Sequence, residues 1–234
     1  MSADPSPLVL QGLTPPLRLS DFRLAAFDMD STLINIECID EIADAAGRKA
    51  EVAAITEAAM RGEITDFKDS LRRRLTLLKG VPSSALAQVL RDRLRFNPGA
   101  RELCAALKAA GLKLVLVSGG FTYFTKHVAA ELGMDFVRSN ALEIVNEQLT
   151  GGLLMQPWGE ICDGEEKRRM MLNCAEHIGA TAAQCIAVGD GANDLPMMGA
   201  AGLSVAYHAK PAVRAKAMVA IPDGGLDRLL TVFA

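Results

Sequence analysis

The chain lacks an excess of either charge. Its 234 residues carry 25 lysines and arginines against 28 aspartates and glutamates, a net charge of -3, and the two signs are interspersed. That balance argues against a surface that holds nucleic acid or an anionic membrane electrostatically, so the expected ligand is small. Cysteines are few and odd in number: Cys38, Cys104, Cys162, Cys174 and Cys185, with no C-x-x-C spacing. Neither a disulfide framework nor a zinc site is suggested, and reduced, mostly buried thiols of a cytoplasmic protein are expected. No apolar run is long enough to span a bilayer, no basic start precedes an apolar run as in a secretory signal, and no segment repeats at a fixed period. The three histidines, His127, His177 and His208, sit apart without ligand spacing, and structural roles are expected for them.

What the chain has in quantity is apolar residues, half of its length, ample for a core. Strands are predicted at Leu24 to Asp28, Lys113 to Ser118, Cys185 to Val188, Leu203 to Val205 and Val219 to Ile221. Each leads into a helical pattern or a loop, which predicts an α/β fold, a Rossmann-like parallel sheet covered on both faces. Between the first two strands, residues 37–94 read as helix throughout, broken at Gly47, Gly62 and Gly80-Val81-Pro82. A single crossover helix needs far fewer residues. The excess predicts a small helical cap domain, 36–95, inserted into a core formed by 21–35 and 96–234, with 1–20 as an N-terminal extension. Asn140 to Leu154 predicts a β-hairpin at the sheet edge.

The first predicted strand runs into Phe27-Asp28-Met29-Asp30-Ser31-Thr32-Leu33, which sets two carboxylates two residues apart where an open α/β sheet carries its ligands. Alternation along a strand cannot aim both at one point, but a sharp bend just beyond it can leave one on each side of a shared ligand. Alone, such a pair is as consistent with a solvated turn or a bare metal site. Three later segments accompany it: Leu114-Val115-Leu116-Val117-Ser118-Gly119-Gly120-Phe121, a lone Lys167 opening a helical stretch, and Ile186-Ala187-Val188-Gly189-Asp190-Gly191-Ala192-Asn193-Asp194. In this order the four resemble the motifs of the haloacid dehalogenase superfamily of aspartate-nucleophile phosphatases, and their wording is similar to its phosphoserine phosphatase branch. The resemblance spans roughly Asp28 to Leu229.

That resemblance implies a phosphatase chemistry which the residue types can supply. Phosphate monoesters resist attack because the ester is anionic and the leaving alkoxide poor, so a nucleophile, a proton and positive charge are all needed. Asp28 is the expected nucleophile, passing through an aspartyl phosphate. Asp30 is the expected acid and then base. Asp28, the main-chain carbonyl of Asp30 and the Asp190 carboxylate are expected to hold Mg²⁺, a hard cation suited to oxygen. Asp194 either ligates through water or orients Lys167, whose ammonium is expected on the phosphate together with Ser118, Gly119 and Asn193.

Selectivity is expected from the insertion. In the family branch, the position of Glu37 within Ile36-Glu37-Cys38-Ile39-Asp40-Glu41 binds the substrate ammonium, and that of Arg74 at the end of Phe67-Lys68-Asp69-Ser70-Leu71-Arg72-Arg73-Arg74 pairs with the substrate carboxylate. Arg72 and Arg73 cannot share a helix face with Arg74 and are expected at the surface. Met60 and Phe67 are candidates for an apolar lid or plain helix core. The resemblance thus implies hydrolysis of O-phospho-L-serine, the last step of serine synthesis. Open alternatives are a related phosphatase or phosphotransferase on phosphothreonine or a homoserine acceptor, and a non-catalytic phosphate-binding scaffold.

Overall fold

A computed structural model describes residues 7–60 and 66–234, the side chains of 56–60 excepted. Strands β1 (Val9–Leu10) and β2 (Leu24–Phe27) lead into α1 (Cys38–Ala45), α2 (Lys49–Met60), α3 (Phe67–Leu77), α4 (Ser84–Asp92) and α5 (Ala100–Ala109). Next come β3 (Lys113–Phe121), α6 (Thr122–Leu132), β4 (Phe136–Val145), β5 (Gln148–Leu154) and α7 (Gly164–His177). The chain ends with β6 (Cys185–Gly189), α8 (Leu195–Ala200), β7 (Leu203–Tyr207), α9 (Pro211–Arg214) and β8 (Val219–Ile221).

The strands form one sheet in the order β1-β8-β7-β6-β2-β3-β4-β5, parallel from β8 to β4 and antiparallel at both edges. All four residues of β2 are fully buried, as expected of a parallel strand covered on both faces. Alternation divides the core in two. Ala25, Phe27, Leu114, Leu116, Ile186 and Val188 face α5 and α6, while Leu24, Ala26, Val115, Val117 and Ala187 face Met170, Met171 and Cys174 of α7 and Met197 and Met198 of α8. Full burial of a side chain like Phe27 stabilises by about 1.5 to 3 kcal/mol.

Strand β2 lies between β3 and β6. After β2 the chain builds outward through β3 and β4, then returns to the other side at β6. This reversal makes a crevice at the carboxyl ends of the strands, the usual ligand site of such sheets. Asp28, Ser118 and Asp190 all stand at that end.

The helical insertion leaves and re-enters the core through a two-stranded neck, with Ile34 bridged to Phe96, Asn35 N bonded to Arg95 O at 3.0 Å and Asn97 N to Leu33 O at 2.9 Å. Helix α1 packs on α2, α3 and α4. Leu71, Leu75 and Leu78, spaced four and three apart, are buried on one face of α3 and its end, the stripe expected of an amphipathic helix. Asp66 caps α3 by accepting from Lys68 N at 2.9 Å. Gly62, one of the expected breaks, falls outside the described residues.

The predicted hairpin is present at the sheet edge, but its first strand begins at Phe136, before the expected Asn140. Phe136 to Ser139 pair in parallel with Val115 to Ser118, so β4 belongs to the main sheet before it turns into the hairpin. Asn146 and Glu147 make the turn with φ of 50° and 59°, the left-handed pair that two-residue hairpin turns use. The hairpin also bonds to the insertion: Gly80 N to Leu149 O, Leu149 N to Val81 O and Ser83 N to Glu147 O, each 2.8 Å. The N-terminal extension supplies β1, which adds to β8 at the opposite edge.

Candidate active site

Asp28 follows β2 directly, and its amide donates to Val188 O at 3.0 Å, so the strand pairing with β6 carries the nucleophile candidate to the crevice. Its Oδ1 accepts from Met29 N at 2.7 Å and from Lys167 Nζ at 2.7 Å. Lys167 Nζ also lies 2.7 Å from Asp194 Oδ1, and the lysine side chain has no exposed surface. Helix α7 presents it from its first turn, capped by Asp163, which accepts from Glu166 N at 2.8 Å.

Asp194 uses its second oxygen for the chain itself: Oδ2 accepts from Asp190 N at 3.2 Å and Gly191 N at 3.0 Å. A Cβ on Gly189 would collide with this carboxylate. Asp190 Oδ1 in turn accepts from Thr32 Oγ1 at 3.2 Å. Oxygens of Asp28, Asp190 and Asp194 lie within 4.8 Å of one another. Like charges so close raise one another's proton affinity. Burial, reinforced by Asp194, lifts the Asp190 carboxyl to about 7. Burial and then Asp194 also hold Asp28 well above the ordinary carboxylate range, against the pull of Lys167. Burial disfavours the Lys167 ammonium, yet Asp194 and Asp28 outweigh it and raise its pKa above that of an ordinary lysine. One lysine among three carboxylates leaves the cluster short of positive charge, and oxygen donors in this arrangement fit a hard divalent cation.

Asp30 stands apart from these three. Burial first and Glu37 second lift its carboxyl to about 8, although hydrogen bonding from Cys38 opposes the rise. A protonated carboxyl near neutral pH suits a general acid. Glu37 is held by Ser31 Oγ at 2.6 Å, and burial raises it as well. Ser31 takes a φ of 57°, a left-handed bend just beyond the two aspartates.

Ser118 is fully buried and its Oγ accepts from Gly120 N at 2.8 Å. Gly119 faces the insertion, where a Cβ would lie 3.0 Å from Phe67 Cζ. Met60, the other lid candidate, has a side chain outside the description. Asn193 stands half-buried in the short turn before Asp194, its amide folded against Gly191.

In the insertion, Arg74 Nε and Asp40 Oδ1 are buried with no hydrogen-bond partner among the described residues. The charge of Arg74 acts on Glu37 and on Asp40, offsetting part of the rise that burial gives both carboxyls. Arg72 and Arg73 are exposed and pair with Glu160 and Asp69 at 2.8 and 2.9 Å. The histidines pack on aromatic rings, His127 on Phe96, His177 on Phe136 and His208 on Tyr207.

Three supporting residues escaped the sequence reading. Thr32 orients Asp190. Asn97 donates Nδ2 to the carbonyls of Thr32 at 2.8 Å and Ile34 at 3.0 Å, tying the neck to the first motif. Asn140, fully buried, donates to Gly119 O at 2.7 Å and accepts from Cys162 N at 2.8 Å. Thr32 lay inside a quoted motif, but the asparagines carried only turn and strand signals.

Residues 25–199 match the family model described as haloacid dehalogenase-like hydrolase. A phosphoserine phosphatase of Albidiferax ferrireducens is 66% identical over 226 residues, covering 97% of this chain and 95% of the relative. One of a Polaromonas species is 67% identical over 223 residues, covering 95% and 94%. Among solved structures, a phospho-aspartyl intermediate analogue of phosphoserine phosphatase superposes with a TM-score of 0.83 at 37% identity, covering 91% of this chain and 99% of that one. No described helix is long and apolar enough to cross a membrane.

Proposed function

The chain belongs to the haloacid dehalogenase-like hydrolase family, and from that premise we propose that it hydrolyses O-phospho-L-serine to L-serine and phosphate as a cytoplasmic enzyme of serine synthesis. The observation that carries the substrate reading is Arg74, whose buried Nε has no hydrogen-bond partner among the described residues. A buried guanidinium donor left unpaired costs stability, and a carboxylate would satisfy it bidentately. Glu37, across the same space, would take the substrate ammonium. A zwitterionic amino-acid head held in the insertion places its phosphate over Asp28.

Asp28 would attack phosphorus, with Lys167, Ser118 Oγ, the Gly119 amide and Asn193 balancing the charge on the phosphate oxygens. Asp30 would give its proton to the leaving serine oxygen and then take one from the water that opens the aspartyl phosphate. Asp194 would orient Lys167. Asp28, the Asp30 carbonyl and Asp190 would hold Mg²⁺, which when bound supplies the positive charge that lets an anionic carboxylate approach an anionic ester. Residues 36–95 would form the cap, 21–35 and 96–234 the core and 1–20 an extension, a division that the neck at Ile34 and Phe96 supports. The ligand would be a small phosphorylated amino acid, with no role for nucleic acid or membrane.

The test is phosphate release from L-phosphoserine, L-phosphothreonine and an aryl phosphate with Mg²⁺, using Asp28→Asn as the blank. Strong preference for L-phosphoserine, abolished in the blank, is expected. Turnover of the aryl phosphate alone would remove the roles of Glu37 and Arg74, and no turnover of any would leave a non-catalytic scaffold.

A further inference from the structure

Glu166 is a carboxylate that the chemistry above does not use, yet its side chain is only 7% exposed. It forms ion pairs with Arg138 and with Arg169. Its neighbour Glu165 shows the ordinary alternative: 63% exposed and paired along the helix surface with Arg168. Burying a charge is costly, and a buried pair is weak evidence for stability as such. Its place in the fold suggests another role.

Arg138 lies on β4 opposite Val117, one residue before the Ser118 register. Alternation sends Arg138 to the α7 side, while Ser139 bonds Thr125 of α6 at 2.8 Å on the other. Arg138 also sits 5.3 Å from the centre of the Trp158 ring, and Arg169 donates to Trp158 O at 2.7 Å. The first turn of α7 is thereby pinned sideways to the strand next to the phosphate loop and to the segment that precedes the helix. Met170, Met171 and Cys174 press the same helix on the sheet, but an apolar face tolerates small rotations that a directional charge contact, with one Glu166 oxygen on Arg138 and the other on Arg169, does not. Lys167, the next residue, must thread its ammonium between two oxygens at 2.7 Å each. A rotation of α7 by about 10° would shift a group at the helix surface by about 1 Å. Misplacement on that scale is worth up to about a hundredfold in rate.

We propose that Glu166 is a positioning residue for the reaction: its ion pair with Arg138 sets the rotation of α7 and so aims Lys167 at Asp28. This rests on the role given to Lys167 above. The experiment measures kcat and KM for L-phosphoserine, with thermal melting, in Glu166→Gln, Arg138→Met, the double variant, Lys167→Ala and the control Arg168→Ala. Both single variants are expected to lower kcat by about tenfold or more, with KM changing much less. The double variant is expected to fall no lower than the worse single, because the two residues act as one unit. Arg168→Ala should match the wild type. Should Glu166→Gln not fold, Glu166→Asp, which keeps the charge and draws it back by one methylene, takes its place with the same expectation. A melting temperature that falls while kcat of the folded enzyme stays within about twofold of wild type overturns the proposal. Additive losses in the double variant do so too. If Lys167→Ala keeps the wild-type rate, the role of Lys167 itself fails; if it is inactive while the Glu166 variants are unaffected, only this inference fails.

Discussion

Lys167 and Asp194, neither with any exposed side-chain surface, are joined at 2.7 Å, and Asp194 spends its other oxygen on two backbone amides of the last motif. The loop that carries Asp190 is thus fastened to the same carboxylate that holds the lysine. Replacing Asp194 by Asn removes the charge facing Lys167, and an amide nitrogen cannot accept both from the lysine side and from the two amides. Asp194→Asn is expected to lower activity by about a hundredfold or more and to destabilise the fold by about 3 kcal/mol or more. Phosphate release and urea unfolding measure the two. Wild-type stability in this variant would mean that the loop does not depend on Asp194.

Arg74 offers a cleaner separation of binding from chemistry. Arg74→Ala is expected to raise KM for L-phosphoserine by about tenfold to a hundredfold, the equivalent of one charge-assisted hydrogen bond at about 1.5 to 3 kcal/mol. An aryl phosphate, which has no carboxylate, should be turned over as before. Equal losses on both substrates would place Arg74 in the fold of α3 rather than on the substrate.

The acid cluster makes a prediction about pH. Burial and Asp194 lift Asp190 to about 7, and burial and Glu37 lift Asp30 to about 8, from an ordinary 3.8. Between these values the folded chain binds protons that the unfolded chain has released, so stability falls as pH rises. The contribution is complete below the unfolded pKa and is lost as pH climbs through about 7 to 8. Metal-free protein is expected to melt several degrees lower at about pH 8.5 than at about pH 5, with Mg²⁺ restoring more at the higher pH. A flat profile with no response to Mg²⁺ would contradict both the crowding of the acids and the cation site.

Gly120 tests the placement of Asp30. A Cβ there would lie 2.7 Å from Asp30 Oδ2 and 2.9 Å from Met29 Cε. The backbone is not in the left-handed region, so Gly120→Ala is a matter of space alone. It should push the Asp30 carboxyl aside and lower kcat by about tenfold to a hundredfold while KM changes little. Steady-state kinetics decide, and an unchanged kcat would show that Asp30 has room to shift without consequence.

Much of this was legible in the chain because parallel strands buried on both faces write themselves as unbroken apolar runs. Leu24 to Phe27 and Cys185 to Gly189 end where the polar motifs begin, so the crevice could be placed before any coordinate was known. The resemblance of the four motifs implied that Lys167 and the acids gather there, but left open whether Asp194 ligates or orients Lys167; in the structure Asp194 Oδ1 lies 2.7 Å from Lys167 Nζ. What stayed hidden was support across distant segments. Asn97 and Asn140 tie loops together through backbone carbonyls, an interaction that depends on where the other chain passes and leaves no local pattern. Glu166 gave no signal of its own, since helix spacing alone could not tell that Arg138 of a neighbouring strand would meet it. The hairpin's bonds to Gly80, Val81 and Ser83 were equally invisible, being set by main-chain atoms that any residues could supply.

The central claim is that Asp28 forms a covalent bond to phosphorus. It is tested most directly by mixing the enzyme with L-phosphoserine carrying labelled phosphate, quenching in acid within a turnover, and mapping the label by peptide analysis with hydroxylamine release. Acid-stable, hydroxylamine-labile label on the peptide that contains Asp28, absent in Asp28→Asn, is the expected result. Full turnover with no label on the protein, or label on a peptide without Asp28, would contradict it.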